Sequence, residues 1–134
     1  MTSPHPQVQA WAARLGAKPL PVLADSREAL ARCRQQGDRV DANALAQVVL
    51  RDPLLALRVL VHTQQRLGAR LSRPVETVTA ALVLLGIEPF FTAFDDVETV
   101  ENRLADQPQA MAGLQACLDL ASRAARIAAA IAVH

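Results

Sequence analysis

The sequence predicts an all-α fold: a compact bundle of five or six short helices followed by a longer, Ala-rich C-terminal helix. Three observations predict it. The chain is 51% hydrophobic but only 3% aromatic, with no Tyr and with Ala and Leu dominating, which favours helices packed through small and branched aliphatic side chains. Apolar residues recur at helical spacing in one stretch after another. Helix punctuation separates those stretches, with Asp-Pro and Thr at starts and four of the five glycines at ends. At 134 residues the chain is one domain's worth, long enough to bury about two-thirds of the surface its unfolded form exposes.

Residues 1–6 are expected to be a flexible tail. Val8, Trp11, Ala12 and Leu15 then follow the i, i+3, i+4, i+7 rule to Gly16, and Trp11 should anchor this first helix to the core. Lys18-Pro19-Leu20-Pro21 is an extended connector, because each proline restricts the residue before it. Asp25 to Glu28 has the form of a capping box, opening a helix that turns Ala29, Leu30 and Cys33 inward and ends at Gly37. Asp38 to Asp41 is a turn, and Asp41 caps the helix from Ala44 to Leu50.

Asp52-Pro53 ends that helix and starts the next at a sharp angle, Asp52 as cap and Pro53 as first helical residue. Leu54, Leu57, Leu60, Val61 and Gln64 should share its inward face, and Gly68 should close it with a left-handed turn. A basic loop follows, with Arg70 and Arg73 in it and Arg66 just ahead. Thr77 caps the helix Val78 to Leu85, apolar enough to be buried on nearly all sides, and Gly86 stops it. Pro89 restarts a helix with Phe90, Phe91 and Phe94. Asp95 to Asp106 is acidic and less hydrophobic, a fraying helix or a linker. Gln109 to Val133 is one long helix with ten alanines between Ala110 and Ala132; Leu114, Cys117, Leu118, Ala121, Ala125 and Ala128 form its packing stripe.

The order of helix, Asp52-Pro53 corner, leucine-rich helix, basic loop and Ala81-Leu82-Val83-Leu84-Leu85-Gly86 resembles the HDOD domain, a bacterial helical signalling module related to the HD phosphohydrolases. Leu20-Pro21-Val22-Leu23 is similar to that family's Leu-Pro opening. The resemblance covers roughly residues 8 to 94 and implies a structural signature at Asp52, Pro53, Leu57, Leu60, Ala81, Leu85 and Gly86. Many members carry Asn-Ser late in the helix after the corner, where this chain has Gln64-Gln65. The resemblance divides the chain into a tail (1–6), an HDOD-like helical domain (7–94), an acidic connector (95–108) and a C-terminal helix (109–134). That last helix is either the start of an HD-like half, cut short at His134, or a dimerisation helix.

Composition and motifs exclude several activities. HD phosphohydrolases hold two cations with a His, a His-Asp pair and an Asp. Here His5, His62 and His134 include no His-Asp dipeptide, so that metal set cannot assemble. Asp95 and Asp96 are adjacent, and adjacent helix residues diverge by about 100°. No nucleophile elbow, Walker loop or Gly-rich phosphate turn is present. The helix after the corner offers only Arg58 in its first two turns, too little for a helix that reads base edges. No apolar run approaches the roughly 20 residues that span a bilayer, and the N-terminus lacks the pattern of a secretory signal. Cys33 and Cys117 have no metal-like spacing and read as thiols of a reducing cytosol.

Net charge is +1, but it is unevenly spread: residues 1–73 carry a balance of +6 and residues 74–106 a balance of −6. The two halves either form separate binding surfaces or fold against each other and cancel. The expectation is a cytoplasmic, non-enzymatic regulatory module of signal transduction, without cofactor, acting through contacts with a protein partner. The expected contact surfaces are Arg66, Arg70 and Arg73 on one side and Asp95, Asp96, Glu98 and Glu101 on the other, with homodimerisation through the C-terminal helix. Two alternatives stay open: binding of nucleic acid or a nucleotide by the three arginines, and an inactive fragment of an HD-type phosphohydrolase.

Overall fold

Eight α-helices and no β-strand are formed by the described residues of the computed structural model, 5–16 and 18–133. They are α1 (Pro6–Gly16), α2 (Ala24–Gln35), α3 (Ala42–Val49), α4 (Pro53–Leu67), α5 (Val78–Leu85), α6 (Ile87–Phe94), α7 (Val100–Arg103) and α8 (Pro108–Ala132), with single 3-10 turns at Gly37–Arg39 and Gly68–Arg70. The side chains of Trp11, Ala12 and Leu15, and so the anchoring expected of Trp11, lie outside the description, as do the first four residues of the expected tail. Val8, assigned to the same inward face, is exposed.

The all-α expectation holds, and the caps at Asp41, Asp52 and Thr77 hold with it. Asp41 Oδ1 accepts from the Ala44 N–H at 2.7 Å and Thr77 Oγ1 from the Ala80 N–H at 3.2 Å. α5 lies at the centre, packed against both α3 and α4, with α2 on the far side of α3 and α6 against α5. Leu45, Val49, Leu55, Val59, Ala81 and Leu82 are sealed from solvent among them. Phe90 fills the largest buried space, stacked on Phe94 at 4.8 Å between centroids and edge-on to Phe91 at 5.4 Å.

Several local expectations are corrected. The inward face of α4 is Leu55, Val59 and Thr63, one helical turn apart; Leu57 and Val61, expected in the core, are 50% and 44% exposed, and Gln64 is exposed. α5 is not buried all round, because Val83 and Leu84 face solvent. Gly68 has right-handed helical angles and opens a 3-10 turn; Gly86, at φ +83°, and Gly37, at φ +58°, take the positive φ that only glycine adopts freely. Asp25 and Glu28 make no capping box, since α2 begins after Leu23 without a side-chain cap of its own.

The N-terminus of α2 is capped from a distance instead. The Leu23 N–H donates to Asp52 Oδ2 and the Ala24 N–H to Glu101 Oε2, each at 2.9 Å. Asp52 Oδ1 meanwhile accepts from the Leu54 N–H at 2.9 Å. One buried carboxylate therefore starts α4 and ties the entry of α2 to it, placing negative charge at two helix N-termini where it is favoured.

The acidic stretch is part of this body. Val97, Thr99 and Val100 are buried, and the backbone at 98–100 pairs in parallel with Val22: the Val22 N–H donates to the Glu98 carbonyl at 3.0 Å and the Val100 N–H to the Val22 carbonyl at 2.8 Å. Thr99 caps the short α7 through the Asn102 N–H. α8 then rests on α4. Leu118 is its buried residue, with Met111, Leu114 and Ser122 half-buried beside it; Cys117, Ala121, Ala125 and Ala128 of the expected stripe are exposed.

Candidate functional site

The turn of α4 that brings Leu55 and Val59 into the core leaves Leu57 and Val61 on the opposite side, facing the extended connector 18–20. Between them lies a groove of about 580 Å³. Its floor is Leu57, Val61 and Leu20, and its rim carries Lys18, Arg58, His62 and Gln65. Exposed aliphatic side chains beside cationic groups make a surface that takes an apolar ligand bearing negative charge.

The rim is held in place by the core. The Arg58 guanidinium donates to the Leu20 carbonyl at 2.7 Å and lies 5.6 Å from the centroid of the Phe94 ring, so one residue pins the connector and rests a charge on an aromatic face. Burial, and then the charge of Arg103, lowers its pKa, while Glu98 opposes them. His62 meets the same Phe94 ring edge-on at 5.4 Å. Burial, followed by the charges of Arg66 and Arg58, depresses its pKa below the ordinary 6.5, which leaves the imidazole neutral at pH 7.

The expected contact residues fall into two different states. The four acidic ones are engaged within the chain: Asp95 with Arg34, Asp96 with Arg27 at 3.5 Å, Glu98 with Arg103, and Glu101 with the Ala24 N–H. Arg103 Nε reaches Glu98 at 3.0 Å and its guanidinium also donates to the Pro19 carbonyl at 3.2 Å; this pairing holds the Glu98 carboxyl below its usual range. The opposite charges of the two halves thus meet at α2, where Arg27 and Arg34 face Asp96 and Asp95. Arg66, in the last turn of α4, Arg70, in the following 3-10 turn, and Arg73, in the loop beyond, are all exposed and have no ion-pair partner among the described residues.

Of the structural signature, Asp52, Ala81 and Leu85 are buried, Pro53 is the first residue of α4, Leu60 is half-buried and Gly86 takes its positive φ; Leu57 belongs to the groove. Two further hollows are smaller. One of about 360 Å³ lies between α2 and α3, lined by two acidic residues, Asp25 and Glu28, and two basic ones, Arg32 and Arg51. The other, of about 190 Å³, sits beside the Arg34–Asp95 pair. Among the described residues no three His, Cys, Asp or Glu side chains come together as a metal set, and no helix is long and apolar enough to cross a membrane.

The groove was not foreseen from the chain. Its signal lay in α4, where every position from Leu54 to Val61 except Arg58 is apolar, more than one buried face can use. No family model matches this chain, and no curated protein or solved structure matches it.

Proposed function

We propose that the chain is a non-enzymatic regulatory module of the HDOD type, working in the cytoplasm of a bacterium through contact with a protein partner. The observation that carries this reading is the groove between α4 and the connector: an exposed aliphatic floor at Leu57 and Val61 under the cations Lys18 and Arg58. Such a surface fits a short amphipathic segment that presents aliphatic side chains at helical spacing with an Asp or Glu beside them. The aliphatic contacts supply affinity and the rim charges steer the approach. The HDOD resemblance supports the signalling role.

The test is selection from a random 16-residue peptide display library against the intact chain. Enriched peptides should combine aliphatic i, i+3 or i, i+4 pairs with acidic residues, lose binding to the Val61→Asp variant, and weaken as salt rises. Binders that hold the variant as tightly as the parent chain would remove the groove from the account.

A second reading has its own observation. Among the described residues Arg66, Arg70 and Arg73 have no ion-pair partner while Arg27, Arg34 and Arg103 are paired, leaving a local basic loop open to phosphate groups. Binding of nucleic acid there predicts salt-sensitive retardation of DNA or RNA that fades in the Arg70→Ala, Arg73→Ala double variant.

A further inference from the structure

α8 is apolar on two opposite sides. Met111, Leu114, Leu118 and Ser122 follow one another at three- and four-residue steps along the side that is at least half-buried. About 180° around the helix, at 100° per residue, runs a second stripe: Gly113, Ala116, Leu120, Ala124, Ile127 and Ile131. It is exposed throughout, Ile127 at 62% and Ile131 at 70%, and a Cβ placed on Gly113 would meet nothing within 4 Å. A helix apolar on both sides belongs between two layers, and the chain provides one of them.

We infer that a second copy of this chain provides the other, with the two α8 helices packed antiparallel about a two-fold axis near Ser122 and Arg123. The charges select this occupant. Asp119 and Arg126 lie seven residues apart on the same flank of the stripe, and antiparallel pairing sets Asp119 of each copy against Arg126 of the other, making two identical ion pairs. Neither residue is used up within the chain: Asp119 meets only Gln115 Nε2, at 3.4 Å, and Arg126 has no partner among the described residues. Arg123 lies on the same flank beside the axis, where the two copies bring like charges near each other, a cost that the two ion pairs and the apolar seam must offset.

The side chains can interleave in that register. Ile131 of one copy lies over the small Gly113 and Ala116 of the other, and Leu120 lies between Ala124 and Ile127 of the other, so aliphatic contact runs along the seam. The overlap runs over about 20 residues, roughly 30 Å of helix. Small residues at the crossing let the backbones approach closely, and the aliphatic ones exclude water from the seam. The pairing is independent of the groove on α4 and does not rest on the proposed function.

Sedimentation equilibrium of the intact chain at 1–100 μM tests it, with circular dichroism to confirm helical content. The parent chain should be a dimer in this range, and Leu120→Asp a folded monomer. Asp119→Arg and Arg126→Asp each place like charges at both contacts and should raise the dimer Kd about tenfold or more. Mixed in equal amounts, those two variants should form the heterodimer in preference to either homodimer, because opposite charges are restored at both contacts. A parent chain that is monomeric at 100 μM overturns the inference, as does a folded Leu120→Asp dimer. So does a mixture of the charge variants that shows no preference for the heterodimer.

Discussion

Asp52 is the residue on which most of the local architecture turns. Its two carboxylate oxygens accept from Leu54 and Leu23, two N–H groups 31 residues apart in the chain, in a position sealed from solvent. Asp52→Ala would leave both donors without a partner and should cost roughly 2–4 kcal/mol, the sum of a lost cap and an unmet buried donor. Asp52→Asn keeps one acceptor oxygen and should cost about half as much; denaturant unfolding of the two variants measures the difference. The cap on α4 was legible, because Asp before Pro is a local signal. The tie to Leu23 was not, because nothing near Asp52 in the chain names its second partner.

His62 makes the pH dependence specific. Burial and the neighbouring Arg66 and Arg58 depress its pKa below 6.5, so the unfolded chain takes up that proton at higher pH than the folded one. Its contribution to stability is therefore complete above about pH 6.5 and is lost as pH falls towards the folded pKa. An NMR titration of the imidazole should give a midpoint below 6.5, and His62→Gln should flatten the fall in stability over that window. A midpoint at or above 6.5 would contradict the assigned environment.

At the scale of elements, helix existence and type were legible and helix facing was not. Asp41, Asp52, Thr77 and Gly86 mark ends through short-range chemistry, and the structure keeps them. α4 shows where periodicity fails: with apolar residues at nearly every position from Leu54 to Val61, several faces satisfy a helical period, and only the neighbouring α5 decides between them. α2 failed differently, since Asp25 and Glu28 had the form of a cap while the carboxylates that serve it come from Asp52 and Glu101. The groove was hidden for the same reason as the facing, being the side of α4 that packing left over. The register carries a direct consequence. Leu55→Ala should cost about 2–5 kcal/mol as a cavity opens in the core, whereas Leu57→Ala, half exposed, should stay within about 1 kcal/mol of the parent. Equal costs in thermal unfolding would mean that α4 is turned differently.

Across the whole molecule, the uneven charge of the two halves resolves into contacts between them. Arg27 and Arg34 of α2 meet Asp96 and Asp95, while Val97 and Val100 carry the same segment into the interior. Exposed ion pairs contribute little and buried aliphatic groups much. Asp95→Asn with Asp96→Asn should therefore change stability by less than about 1–2 kcal/mol, and Val97→Ala alone should cost about 2 kcal/mol. That ranking separates a segment held by burial from one held by charge. The acidic side chains of that segment stay exposed beside their arginines, and the groove, the basic loop and the outer side of α8 are the other surfaces open to a partner.

The most direct measurement of the central claim is a backbone amide chemical-shift map of the intact chain titrated with the strongest peptide from the display selection. The largest changes are predicted at Leu20, Leu57, Arg58, Val61 and His62, along the groove between the connector and α4. Changes centred on Arg66 to Arg73, or on α8, with the groove unmoved, would contradict it.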